Sequence, residues 1–146
     1  MNGTIRPLEP SKHRPRRRGR GQALVEFALV LPILLLIILG VVDFGRAVYG
    51  FNTIGNAARV GGRVAIVSQT QATIENAAIG AAISLGTQPG DVLITYPGCG
   101  SPKTIGCIAS VTVSYTFRPI TPIIGQIWST INMSSTTKLP IERVGP

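Results

Sequence analysis

Twenty residues from Ala23 to Val42, ALVEFALVLPILLLIILGVV, carry a single charge, and this run constrains the chain more than any other feature. At 1.5 Å of rise per residue, its length matches the roughly 30 Å hydrocarbon core of a bilayer. A helix that is apolar on every side needs a large core or a membrane to cover it. A chain of 146 residues has room for one modest domain besides this segment. The expectation is a transmembrane helix over residues 22–42, between a tail (1–21) and a small domain (43–146). Pro32 lies inside the run. Membrane helices accept proline when neighbours satisfy the freed carbonyl, so a bend is expected there.

The charge balance supports this division. The formal net charge is +8, but residues 1–21 hold seven Lys/Arg against one acid, Glu9. The other 125 residues hold seven basic and five acidic groups, so the high pI belongs to a short tail. Lys/Arg directly before an apolar span stay cytoplasmic, which places the amino terminus inside and residues 43–146 on the far side. A tail drawn to nucleic-acid phosphates is the alternative, but no interleaved aromatics or base-reading module accompany it, and no nucleic-acid partner is expected. A cleaved secretory signal would have a shorter apolar core and a small-residue cleavage site, whereas Asp43-Phe44-Gly45-Arg46 follows here. Arg16-Arg17-Arg18 leaves a twin-arginine export signal as a minor option.

Glu26 is the one charge in the apolar run. A carboxylate at the centre of a membrane helix costs roughly 2.5–3.5 kcal/mol, and less near an end. Its plain reading is a side chain that reaches the headgroups or takes up a proton. The surrounding residues, Gly21-Gln22-Ala23-Leu24-Val25-Glu26-Phe27, offer another. A glycine after a basic leader, a glutamate five residues on and an unbroken apolar helix resemble the processing site of type IV pilins.

Three spaced blocks over residues 21–66 narrow the resemblance: Glu26 to Pro32, Asp43-Phe44-Gly45-Arg46, and Asn56-Ala57-Ala58-Arg59-Val60-Gly61-Gly62-Arg63. Together they resemble the TadE-like family, minor pseudopilins of the tight-adherence, or Flp, pilus assembly system. The resemblance implies a non-enzymatic component of that system or a related secretion apparatus, in the inner membrane of a bacterial envelope. It also implies cleavage between Gly21 and Gln22 by a prepilin peptidase, with other pilin subunits and assembly proteins as partners. Cleavage would create an α-amine on Gln22, one helical turn from Glu26, able to neutralise that carboxylate in its own chain or a neighbour. Glycine before the cut admits the backbone to a narrow cleft. Phe27 stands where the system's major pilin usually has tyrosine. An uncleaved anchored interaction protein is the nearest alternative; an anchored exported enzyme or ligand-binding module is a more distant one.

Past the span, Phe44, Val48, Phe51, Ile54 or Gly55, Ala58 and Gly62 continue at three- and four-residue steps, so the helix runs on. Ala57, Gly61 and Ala65, with Ala58 and Gly62 beside them, form a small-residue ladder suited to close packing. Arg59 and Arg63 share a face that is either solvated or grips a neighbouring subunit or lipid headgroups. Ser68-x-x-Gln71 resembles a capping box, opening a helix with Ile74, Ala77, Ala78, Ala81, Ala82 and Leu85 on its buried face. Gly86 and Pro89-Gly90 end it. Strands are expected over 91–96, 110–117 (Val111, Val113, Tyr115 and Phe117 inward) and 129–138. The fold class is α+β, a long amino-terminal transmembrane helix continuing into a small pilin-like domain with a second helix and an antiparallel sheet. Ile120, Ile123, Ile124, Ile127 and Trp128 fit a helical turn behind Pro119 and Pro122. That turn either plugs the core or contacts the membrane or a partner subunit.

Cys99 and Cys107 are the only cysteines, and an exported domain makes a disulfide between them the default. No metal or other cofactor is expected, since the sole histidine, His13, lies in the opposite tail. Glu75, Asp91 and Glu142 are isolated in sequence, and no catalytic constellation or phosphate-binding glycine pattern is present.

Overall fold

The computed structural model describes residues 19–127 and 129–144. The basic leader through residue 18 and Trp128 lie outside them, as do the side chains of Ile123, Ile124 and Ile127. The elements run α1 (Gly19–Ala65), α2 (Gln71–Ala81), β1 (Val92–Thr95), β2 (Ile108–Phe117), α3 (Pro122–Ile127) and β3 (Ile131–Pro140). The chain divides into two units, with the boundary inside α1 at Leu36/Ile37.

In the first unit, α1 offers apolar side chains on all sides, Leu24, Phe27, Leu29, Val30, Ile33 and Leu35 among them, all exposed. α1 is long and apolar enough to cross a membrane.

The unit from Ile37 onward is a two-layer α+β domain. Its antiparallel sheet has the order β1-β2-β3, with Val92 opposite Val113 and Val113 opposite Ser135. Strand alternation sends Ala109, Val111 and Val113 toward the helices, where they meet Ile54, Ala57, Ala58 and Ala65 of α1 and Ile74 and Ala78 of α2. On the opposite face, Ser114, Thr116, Asn132, Ser134, Thr136 and Lys138 face water, as one side of an antiparallel sheet commonly does. Thr112 and Thr136 hydrogen-bond across that face at 2.8 Å.

Several local expectations are corrected. Of the helical run through Phe44, only Ile54, Ala58 and Gly62 turn inward. Phe44, Val48 and Phe51 are exposed, while Asp43 and Gly50 are buried. The inner stripe is offset by one residue because small and polar groups, not the aromatics, meet the sheet. The capping box does not form. Thr70 is the N-cap, without a side-chain cap bond, and the Gln71 amide donates instead to Glu75 Oε1 at 2.6 Å. α2 stops at Ala81, and Leu85 belongs to a short 3-10 turn, Ile83–Leu85, which Gly86 closes at φ +68°. The strands occupy 92–95, 108–117 and 131–140, so the last two differ from the expected bounds by about two residues. Tyr115 packs on the core face as expected and is half-buried there.

Candidate functional site

Asp43 sits just past the apolar run, on the inner face of α1, and is 4% exposed. Its carboxylate accepts hydrogen bonds from Ile120 N–H (2.9 and 3.0 Å to its two oxygens), Thr121 N–H (2.8 Å) and the Thr121 hydroxyl (2.7 Å). Arg46, one turn along, adds an ion pair at 3.2 Å. Its guanidinium also lies 5.3 Å from the centroid of the Phe117 ring. The Ile120 N–H above all, then the Thr121 hydroxyl and N–H, and Arg46, hold the carboxyl down to about 2 against the opposing effect of burial. One side chain of α1 thereby satisfies backbone donors at the start of the β2–β3 connection, which no ladder or helix bond could reach. Sequence reasoning missed this role. The available signal was an acid directly after an apolar run with arginine three residues on, and it was read only as part of a motif block.

At the other end of α1, Gly21 has open space around its Cα, and Gln22 and Glu26 are exposed. The Gln22 side-chain amide donates to Glu26 Oε1 at 3.1 Å, so residue 22 and the carboxylate lie on one face within bonding reach. Glu26 and Asp43 thus have different surroundings: Asp43 is buried under donors, whereas Glu26 is exposed and has one amide bonded to it.

The ladder residues occupy the inner stripe. Ala57, Ala58 and Ala65 are fully buried. A Cβ on Gly61 would stand 3.1 Å from Val111 Cγ1 and 3.2 Å from Ala78 Cβ, and one on Gly62 would stand 2.9 Å from Thr137 Cγ2. Small side chains here let α1 lie against both α2 and the sheet. Arg59 and Arg63 are exposed. Cys99 and Cys107 form a disulfide that closes the β1–β2 loop. Inside that loop the Lys103 ammonium lies 3.8 Å from the centroid of the Tyr96 ring.

The acids Glu75 and Asp91 of the domain are bound locally rather than clustered. Asp91 accepts from the Gln88 N–H at 2.9 Å, and Glu75 binds Gln71. Among the described residues, no three His, Cys, Asp or Glu side chains come together as a metal site.

The family model described as TadE-like protein matches residues 21–63, from the glycine before Gln22 through Asp43 to Arg63. No curated protein and no solved structure matches the chain. The matched segment is nearly the whole of α1, the helix that carries Glu26, the Asp43 clamp and the small-residue ladder, and over this segment the chain is similar to the TadE-like family.

Proposed function

We propose that this protein is a non-enzymatic minor pseudopilin of a tight-adherence (Flp) pilus assembly system or a related secretion apparatus. The observation that carries the reading is the family match along a helix long and apolar enough to cross a membrane. The basic leader stays in the cytoplasm, residues 22–42 span the inner membrane, and the α+β domain is exported. A prepilin peptidase cuts after Gly21. The new α-amine of Gln22 neutralises Glu26 of its own chain or of a neighbouring pilin subunit during assembly. The 3.1 Å contact between the Gln22 amide and Glu26 supports this pairing, because it puts residue 22 one turn from the carboxylate.

Deleting the gene in its host and counting surface pili tests the role. Pili are expected to be lost and to return on complementation; unchanged piliation of the deletion strain contradicts the reading. Intact-mass analysis of the membrane-extracted chain tests the cut. A chain starting at Gln22 is expected, and one starting at Met1 makes the protein an uncleaved anchor of the same machinery.

A further inference from the structure

The β2–β3 connection is fastened to α1 at the level where the apolar run ends, and part of it reaches below that level. Gly40, three residues inside the run, shares an almost wholly apolar groove of about 300 Å3 with Phe44, Phe117, Pro119 and Ile131. Leu39 and Gly40 are half-buried, while Ile37, Ile38, Val41 and Val42 around them are exposed. One side of the helix is therefore covered by the domain's own chain about 4.5 Å before Asp43 along the helix axis. Whatever packs beside Gly40 shares the depth of the last turn of the span.

The exposed side chains at this end have matching chemistry. Phe44 is 71% exposed, Ile120 59% and Ile131 39%; Phe44 and Ile131 line the groove, and Ile120 follows the lining residue Pro119 and donates its N–H to the lining residue Asp43. A patch of this kind marks an interaction surface. Two arginines accompany these residues: Arg46 lies over Phe117 with its side chain 43% exposed, and Arg118, in sequence between the lining residues Phe117 and Pro119, is exposed. An apolar floor accompanied by guanidinium groups suits the boundary between acyl chains and phosphates. The Asp43 clamp keeps Ile120 at this level.

We propose that Pro119, Ile120 and Ile131, together with Phe44, form a second membrane contact, which seats this end of the exported domain in the headgroup layer. A phospholipid acyl chain occupies the groove, and Arg46 and Arg118 meet lipid phosphates. This contact rests on the reading that residues 22–42 span the bilayer.

The full chain, reconstituted in phosphatidylcholine vesicles containing phosphatidylglycerol, tests it with single nitroxide labels. Leu34→Cys marks the span, Ile120→Cys the contact and Ser134→Cys the open sheet face. The native disulfide is left oxidised, so that only the introduced thiol reacts. Oxygen is expected to collide freely with labels at 34 and 120, and an aqueous nickel chelate to reach both several-fold less often than 134. Chelate access at 120 equal to that at 134, with 34 protected, overturns the contact and leaves the span standing. Chelate access at 34 overturns both. Protection of 120 from oxygen and chelate alike, the signature of a protein partner, also overturns it. Arg118→Gln is expected to abolish the deepening of the label at 120 on adding phosphatidylglycerol; an unchanged response removes Arg118 from the phosphate contact.

Discussion

Asp43 gathers four donors, one from Arg46 and three from Ile120 and Thr121, the first of which lies 77 residues further along the chain, and it holds the β2–β3 connection down with a single carboxylate. Asp43→Ala leaves the Ile120 and Thr121 donors without an acceptor and is expected to cost about 3 kcal/mol, with Asp43→Asn costing less because its carbonyl still accepts. Denaturant unfolding of the detergent-solubilised chain measures both. The carboxyl lies at about 2 when folded against an ordinary value of 3.8, so the ionised form is the one that folding favours. The advantage of the native chain over Asp43→Asn is therefore complete above about pH 4 and lost as pH falls through about 2. An advantage that grew on acidification would contradict the clamp. Glu26 was legible in the sequence because a charge in an apolar run needs an explanation. Asp43 was not, because its partners lie in a distant loop that no local pattern connects to it.

At the scale of elements, the close contact of α1 with β3 and α2 makes opposite predictions for two glycines. Gly62→Ala drives a methyl into Thr137, a stiff β-branched side chain, and is expected to destabilise by about 1–2 kcal/mol after the helix-propensity gain. Gly80→Ala, in α2 with nothing within 4 Å, is expected to stabilise by up to about 1 kcal/mol. Thermal unfolding of the two variants checks the pair, and equal shifts would contradict the packing. The disulfide closes a short loop, and its removal is expected to cost about 2.6 kcal/mol on the chain-entropy account. Alkylation without reductant should label neither cysteine. The order of helices and strands was legible because period 3.6 and period 2 stand out in Ile74–Ala82 and in Ser110–Phe117. The repeat of Phe44, Val48 and Phe51 showed that α1 runs on but not which side of it faces inward there, since Asp43 and Gly50, one residue earlier, are the buried positions. Strand ends and the cap of α2 depended on partners that sequence does not display.

Across the whole molecule, the division into a basic leader, an apolar helix and a small domain follows from where charge and hydropathy lie along the chain. What the domain is for does not follow from its core, which is a helix pair on a three-stranded sheet and common to many functions. The proposed function rests on α1, where the family match, the apolar run and Glu26 coincide. In this account the helix is an assembly element rather than only an anchor, and one substitution separates the two roles. Glu26→Ala removes the only charge from the run, so insertion should be unchanged or improved. The direct measurement is the number of surface pili in the deletion strain complemented with Glu26→Ala, with membrane levels of the protein matched to wild type. The account predicts normal insertion and a sharp loss of pili; pili at wild-type number would contradict it.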